Sequence, residues 1–163
     1  QYHHLIPEFT AVENVMMPML IANKSKTEAH KRGEELLRAV GLGDRLHSRP
    51  NQLSGGQNQR VAVARALANN PSIVIGDELT GNLDTKSSEL IYNLLRELNQ
   101  KINQTFILVT HDMTLAEKTD RILRIVDGKI VCEMRRKDDG FVASDLCVMG
   151  EDDGKVVQIS REN

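Results

Sequence analysis

The chain has 163 residues, of which 40% are hydrophobic and 27% are charged, and its formal net charge is −2. This length and composition predict one folded domain or slightly more, and the balance of charge argues against a broad basic surface that wraps nucleic acid. The longest apolar stretch, residues 15–22, contains Pro18 and is far shorter than the ~20 residues of a membrane span, so we expect no transmembrane helix.

The amino-terminal part of the chain carries helix signals and few strand signals. Residues 1–19 are interrupted by prolines, which predicts an irregular segment with a short helix. Ser25 and Glu28 have the spacing of a capping box, and apolar residues then recur at helical spacing until Gly41. This pattern predicts a helix over residues 26–40.

Strand and helix signals alternate in the second half of the chain. Residues 60–68 are rich in Ala, Val and Leu, which predicts a buried helix. Continuous apolar runs at residues 73–75 and 105–110 predict strands that are buried on both faces, with a helix between them. Asp-Gly at residues 127–128 predicts a hairpin. We therefore expect an α/β fold in which helices flank a parallel sheet and a hairpin lies at one side.

The composition divides the chain into three parts. We expect a helical subdomain over residues 1–70, a part with alternating strands and helices over residues 71–134, and a carboxyl-terminal extension over residues 135–163. The extension has apolar runs at residues 145–149 and 155–159 on either side of an acidic turn. It therefore predicts either one more hairpin or a loosely attached tail.

Two acidic residues, Asp77 and Glu78, lie at the end of the strand predicted at residues 73–75, after Gly76. Ligands of parallel α/β sheets bind at the carboxyl ends of strands, so this pair fits a site at which Asp77 holds Mg²⁺ through water. Glu78 would then orient and deprotonate an attacking water molecule. The alternative is a solvated loop in which the two acids have no chemical role.

The segment Leu-Ser-Gly-Gly-Gln at residues 53–57 leads directly into a predicted helix. It combines a hydroxyl group, two residues without Cβ and the N–H groups of a helix start, a combination that suits the oxygen atoms of a phosphate. The alternative is a helix capped by Ser54 after a flexible Gly-Gly turn.

These motifs, taken in order, resemble those of the ATP-binding cassette (ABC) ATPases. Residues 53–57 resemble the signature motif, and residues 73–78 resemble the Walker B strand. The Gly-Asn-Leu-Asp segment at residues 81–84 is similar to the D-loop. His111, at the end of a strand, resembles the switch histidine, and Gln1 falls where the Q-loop glutamine is expected.

The resemblance implies a fold and a subgroup. The fold would be a partial P-loop NTPase (ABC ATPase) core with parallel strands flanked by helices, plus an α-helical subdomain that carries the signature motif. Residues 1–70 would contain the Q-loop and the signature motif, and residues 71–134 would be the Walker B, D-loop and H-loop half of the catalytic core. Residues 2–5 and 9–15, together with Asp84 after Gly-Asn-Leu, resemble the subgroup of lipoprotein-release and macrolide-export ATPases.

The resemblance also implies a role for each site residue. The cofactors would be ATP and Mg²⁺, and the metal would be held by Asp77 and Gln1. The catalytic residues would be Glu78, as general base, and His111, which would contact the γ-phosphate. Ser54 and the Gly56 N–H would contact the ATP held on the opposite subunit, and Asp84 would cross the dimer interface. The full nucleotide-binding set would be Gln1, Ser54, Gly55, Gly56, Gln57 and Asp84.

Two features of the sequence depart from the family pattern. Leu79 stands where the family usually has Pro after the Walker B acids, so the turn that aims Glu78 is expected to be freer. The phosphate-loop pattern G-x-x-x-x-G-K-[ST] does not occur anywhere in the 163 residues. We therefore expect the parent protein to hydrolyse ATP and the isolated chain to be inactive.

The expected function is that of the ATP-hydrolysing subunit of an ABC transporter. Its partners would be a membrane permease and a second copy of the ATPase subunit, with no nucleic acid. We expect a cytoplasmic protein that lies peripherally on the inner face of the cell membrane. Cys132 and Cys147 lack metal-ligand spacing and the density of a disulfide scaffold, which agrees with reduced thiols in the cytosol.

Two other functions fit parts of the sequence. The chain could be a non-catalytic interaction module that binds a permease or a partner subunit, with the ATPase residues as relics. An ABC ATPase of the nucleic-acid repair or translation type is disfavoured, because those proteins carry long insertions or tandem cassettes, whereas residues 1–53 are short and uninterrupted.

Overall fold

A computed structural model describes four stretches of the chain, residues 4–81, 83–138, 140–144 and 155–160. The chain divides into two compact units. The first comprises Gln1–Pro71 and Asn82–Leu94, and the second comprises Ser72–Gly81 and Leu95–Asn163.

The helices and strands follow the predicted order. The α-helices in the described residues are α1 (Ala11–Ile21), α2 (Lys26–Ala39), α3 (Gly55–Ala66), α4 (Thr85–Ile102) and α5 (Met113–Ala116). The strands are β1 (Ile73–Asp77), β2 (Thr105–Thr110), β3 (Arg121–Val126), β4 (Lys129–Lys137), β5 (Gly140–Ala143) and β6 (Lys155–Ser160). None of these helices combines the length and the apolarity that crossing a bilayer requires.

Helices α1, α2 and α3 pack together in the first unit. Their core consists of fully buried apolar side chains, among them Val15, Met19, Leu37, Val61 and Ala64. Helices α1 and α2 approach closely at Gly33, where a Cβ would lie 3.2 Å from Cγ2 of Val12. The helix predicted over residues 26–40 is confirmed as α2, with Val40 at its carboxyl-terminal cap.

Helix α1 is longer than the sequence predicts. It runs through Pro18, whereas we expected the prolines to leave an irregular segment with only a short helix. Thr10 and Glu13 form a capping box at its start, with the Thr10 N–H donating to Oε2 of Glu13 at 2.8 Å. Burial of the apolar face of α1 against α2 and α3 offsets the hydrogen bond that Pro18 cannot donate.

The second unit contains a six-stranded sheet with the order β1-β2-β6-β3-β4-β5. Strands β1 and β2 are parallel, and the other pairs are antiparallel. The hairpin predicted at residues 127–128 is confirmed. Asp127 and Gly128 have φ values of 48° and 73° between β3 and β4, the left-handed conformation of a type I′ turn.

Strand β1 is buried on one face only, which corrects the prediction of a strand buried on both faces. Ile73 is 49% exposed and Ile75 is 71% exposed, whereas Val74 and Gly76 on the other face are buried. Strand β1 lies at an edge of the sheet. A continuous apolar run indicates which residues favour burial, but it does not reveal which surface of the chain covers them.

The carboxyl-terminal part differs from expectation in two respects. Lys155–Ser160 forms β6, which pairs with both β2 and β3 within the sheet, and the other apolar run, residues 145–149, lies outside the described residues. Cys132 is disulfide-bonded, so the expectation of a reduced thiol is wrong at this position. The spacing of cysteines along the chain carries no information about their distance in the fold.

Candidate active site

The carboxyl ends of the two parallel strands place the predicted acids beside the predicted histidine. Strand β1 ends at Asp77, which pairs with Val109 of β2. Glu78 follows β1 and His111 follows β2, so both residues lie at the carboxyl ends of the two parallel strands. Parallel α/β sheets bind their ligands at these strand ends.

Glu78 and His111 form a hydrogen-bonded pair. Nδ1 of His111 lies 2.7 Å from Oε1 of Glu78. The side chain of Glu78 is 16% exposed and that of His111 is 79% exposed, so the imidazole lies between the carboxylate and solvent. The ring can therefore contact a ligand at the surface while it orients the carboxylate behind it.

The backbone of Glu78 is held in an uncommon conformation. Its φ is +50°, in the left-handed region, which costs a residue with a side chain about 1–3 kcal/mol. Its N–H donates to the carbonyl of Val109 at 2.9 Å, and its carbonyl accepts from the N–H of Gly81 at 3.1 Å. These two bonds attach the turn after β1 to the neighbouring strand and close it on itself.

The proton arrangement of the pair determines what it can do. When Nδ1 of a neutral His111 donates to Glu78, Nε2 is an acceptor. When the ring is protonated, Nε2 becomes a second donor and can bind an anionic oxygen. The carboxylate of Glu78 keeps lone pairs for a water molecule in either state. The pair can therefore contact a phosphate oxygen and accept a proton from water.

Asp77 fits a water-mediated contact with Mg²⁺. It is exposed at the end of β1, and Mg²⁺ in phosphate-binding sites commonly keeps several waters and takes one or two carboxylates from the protein. In the part of the chain that the structure describes, no three His, Cys, Asp or Glu side chains form a closed metal site.

The segment at residues 53–57 caps helix α3 in the first unit. Ser54 is exposed at the N-cap, where its Oγ accepts from the N–H of Gln57 at 3.3 Å and its own N–H donates to Oε1 of Gln57 at 2.9 Å. The structure thus contains the predicted Ser-capped helix start. The first N–H groups of a helix and the positive end of its dipole also favour an anion, so the cap and the phosphate-binding interpretation are compatible.

The two glycines of this segment lie against the start of helix α4. A Cβ on Gly55 would lie 3.3 Å from Cδ2 of Leu83, and a Cβ on Gly56 would lie 3.4 Å from Cβ of Ser87. The absence of side chains therefore lets the start of α3 approach residues 83–87. Sequence reasoning missed the contacts of Leu83 and Ser87, because spacing along the chain does not report which helix ends meet.

Asp84 directly precedes α4 and caps its first turn. Its Oδ1 accepts from the N–H of Ser87 at 2.9 Å, and its Oδ2 accepts from the Ser87 hydroxyl at 2.7 Å. The hydrogen bonds from Ser87, first from its backbone and then from its hydroxyl, lower the pKa of Asp84. The signal for Ser87 was present in the sequence, three residues after an N-cap Asp.

The predicted site residues therefore fall into two groups. The first unit contains Ser54, Gly55, Gly56, Gln57 and Asp84, and the second unit contains Asp77, Glu78 and His111. Within the second unit the structure brings Glu78 and His111 together and places Asp77 at the end of β1. Gln1, predicted to contact metal and nucleotide, lies outside the described residues.

Comparison with known proteins identifies the family. The ABC transporter family matches residues 1–81 of the chain. The lipoprotein-releasing system ATP-binding protein LolD of Anaeromyxobacter dehalogenans is 54% identical over 134 residues, which are 82% of this chain. LolD of Idiomarina loihiensis is 56% identical over 128 residues, which are 78% of this chain. The chain belongs to the ABC transporter family.

Solved structures confirm the fold class of this ABC chain. A dimeric structure of the post-hydrolysis state of the ATP-binding cassette MJ0796 bound to ADP and Pi is 43% identical, with a TM-score of 0.69 over 83% of this chain. A dimeric structure of MJ0796 described as a bacterial ABC transporter cassette is 44% identical, with a TM-score of 0.68 over 82% of the chain. The chain spans 56% of the length of the two curated relatives and 60% and 59% of these structures.

Proposed function

We propose that the full-length protein is the ATP-hydrolysing subunit of an ABC transporter of the lipoprotein-release type. The sequence identity to the two LolD proteins supports the subgroup. This chain would supply the signature motif, the Walker B acids and the switch histidine. The phosphate-loop pattern does not occur in these 163 residues, so other residues of the full-length protein would supply it.

The observation that carries the proposal is the contact between Glu78 and His111. In this mechanism ATP is the substrate, and water attacks its γ-phosphate. Oε1 of Glu78 is oriented by Nδ1 of His111 at 2.7 Å, which leaves the carboxylate fixed to accept the proton of the attacking water. The largely exposed ring of His111 would contact the γ-phosphate through Nε2.

The remaining residues would bind and position the nucleotide. Asp77 and Gln1 would hold Mg²⁺, which, when bound, neutralises charge on the phosphate oxygens. Ser54 and the Gly56 N–H would bind the γ-phosphate of an ATP held on a second copy of the subunit. Asp84 would cross the interface between the copies. Closure of the two copies on ATP would exclude bulk water from the reacting atoms.

The partners in this proposal are a second copy of the subunit and a membrane permease. The dimeric structures of MJ0796 support the first partner, and the name of the LolD relatives supports the second. The protein would lie on the inner face of the cell membrane.

Size-exclusion chromatography of two full-length variants with Mg-ATP tests this division of labour. Glu78→Gln removes the proton acceptor but keeps its shape, so we expect an ATP-bound dimer to accumulate. Ser54→Arg places a bulky side chain at the start of α3, so we expect it to bind ATP and remain monomeric. If both variants dimerise equally, the assignment of Ser54 to the ATP of the second copy is wrong.

A further inference from the structure

Gly76 and Leu79 are in contact across the turn that carries Glu78. A Cβ on Gly76 would lie 2.6 Å from both Cγ and Cδ1 of Leu79 and 3.0 Å from its Cδ2. Real Cβ atoms do not approach other carbon atoms this closely, so the branched end of Leu79 occupies the space that a side chain on Gly76 would need. Gly76 lies on the buried face of β1, together with Val74.

The two residues in contact flank the two acids of the site. Between Gly76 and Leu79 the chain passes through Asp77 and Glu78 and then folds back, so that Leu79 covers the buried face of β1 while Asp77 lies on the exposed face. Glu78 is the residue at which the direction changes, and it has the left-handed φ of +50°. A residue is held in such a conformation only when its surroundings determine it.

Hydrogen bonds fix part of this turn but not all of it. The N–H of Glu78 is held by the carbonyl of Val109, and its carbonyl is held by the N–H of Gly81. The second bond closes a β-turn with residues 79 and 80 at its centre. Leu79 nevertheless has no ring that sets its own φ, unlike the Pro that this turn usually has in the family. Packing of Leu79 on Gly76 supplies the missing restraint.

We infer that the Gly76–Leu79 contact positions Glu78 for its hydrogen bond to His111. Both are positioning residues, because neither touches the reacting atoms. The inference rests on the proposed function, in which Glu78 is the general base. It predicts that a glycine at residue 76 and a large aliphatic side chain at residue 79 are required together.

A double-mutant cycle in the full-length protein tests the inference. Gly76→Ala would force Leu79 out of its position, and we expect kcat for ATP hydrolysis to fall about 10-fold or more, since displacement of a catalytic group by an ångström costs up to ~100-fold. ATP affinity should stay within about two-fold, because neither residue contacts the nucleotide in the proposal. Leu79→Met conserves volume, so we expect it to keep kcat near that of the wild type.

The double variant separates lost positioning from general damage. In Gly76→Ala/Leu79→Ala the added methyl group no longer meets a branched side chain. We therefore expect its kcat to equal that of Leu79→Ala, which is below the wild-type value, instead of showing the summed losses of the two single variants. If the losses of the two single variants add in the double variant, or if Gly76→Ala hydrolyses ATP at the wild-type rate, the inference is overturned.

Nitrogen-15 NMR of His111 provides a measurement that does not depend on hydrolysis. The Nδ1 signal reports the hydrogen bond to Glu78 and should change in Gly76→Ala and in Leu79→Ala, but not in Leu79→Met. If Gly76→Ala does not fold, Leu79→Ala, which overpacks nothing, gives the test, and an unchanged Nδ1 signal overturns the inference. A Glu78→Gln variant with wild-type turnover would refute the proposed function alone, because the NMR comparison would still report the positioning.

Discussion

Glu78 and His111 are 33 positions apart in the sequence, and their side chains meet at 2.7 Å between Oε1 and Nδ1. Each residue follows a strand, and the two strands are parallel neighbours, so the pair is assembled by the register of the sheet rather than by a local turn. The register places Asp77 opposite Val109, so the residues that follow the two strands lie at the same end of the sheet.

The isolated chain should not hydrolyse ATP. It contains no phosphate-loop pattern, so the backbone cradle and the lysine that stabilise the β- and γ-phosphates are absent from these 163 residues. We expect weak nucleotide binding in a calorimetric titration and no Mg²⁺-dependent phosphate release. Micromolar binding of ATP, or turnover that Glu78→Gln abolishes, would contradict this expectation.

The isolated chain should also self-associate. Ile73 and Ile75 expose apolar surface on β1, which lies at an edge of the sheet and can pair with another strand. Sedimentation velocity at increasing concentration should show dimers or larger species, and Ile75→Lys should shift the distribution toward monomer. If the unmodified chain is monomeric at all concentrations, the exposed strand β1 does not mediate self-association.

Ser87→Ala should raise the pKa of Asp84. The Ser87 hydroxyl donates to Oδ2 of Asp84, and the bond favours the ionised carboxylate. Because the folded-state pKa of Asp84 is lowered, its stabilising effect is present above the unfolded-state pKa and is lost as the pH falls through the folded-state pKa. Ser87→Ala should therefore reduce the pH dependence of the unfolding free energy that is due to Asp84.

Carboxyl carbon-13 NMR of Asp84 measures this change directly. The matched control is Ser88→Ala, which removes a hydroxyl one residue further along the same helical turn and leaves the side-chain bond between Ser87 and Asp84 in place. We expect the pKa of Asp84 to rise in Ser87→Ala and to stay unchanged in the control. Equal values in the two variants would mean that the hydroxyl bond has no influence on the carboxylate.

Asn14→Ala should destabilise the first unit. Asn14 is fully buried in α1, where its Oδ1 accepts from the Ile6 N–H at 2.8 Å and its Nδ2 donates to the carbonyls of Ile6, Phe9 and Thr10 at 3.0–3.1 Å. The variant removes the partner of the Ile6 N–H and the side-chain donor to the Phe9 carbonyl, at a cost of about 1–3 kcal/mol. Urea unfolding measures the loss in free energy.

Asn14→Asp provides the comparison for this experiment. Aspartate keeps an oxygen that can accept from Ile6 but loses the amide donor, so it should also be destabilising. The exposed Asn51 is the control site, where alanine should change the unfolding free energy by less than ~0.5 kcal/mol. If Asn14→Ala behaves like the Asn51 variant, the buried network contributes nothing to stability.

The sequence predicted the elements that local chemistry determines. Ser25 was predicted as a helix cap from its spacing to Glu28, and a cap at Ser54 was one of the two interpretations of residues 53–57; both residues lie at N-caps. The Asp127-Gly128 hairpin was predicted in the same way. Such signals depend on a few neighbouring residues, so they can be read from a single chain.

Tertiary contacts account for the rest. Pro18 did not break α1, because burial of the helix against its neighbours outweighs one missing hydrogen bond. Two other features depend on residues distant in sequence: β1 is buried on one face only, and β6 lies between β2 and β3. The contact of Leu79 with Gly76 depends on the three-dimensional course of a turn. Periodicity and spacing carry no information on these distances.

The most direct test of the role of Glu78 is the rate of ATP hydrolysis by the full-length Glu78→Gln variant under saturating Mg-ATP. Glutamine is nearly isosteric and uncharged, so it keeps the shape of the site but cannot accept the proton of the attacking water. We predict that ATP binding is retained while kcat falls about 10²–10⁴-fold, the range for loss of a positioned proton acceptor. Hydrolysis at the wild-type rate would contradict the assignment of Glu78 as the general base.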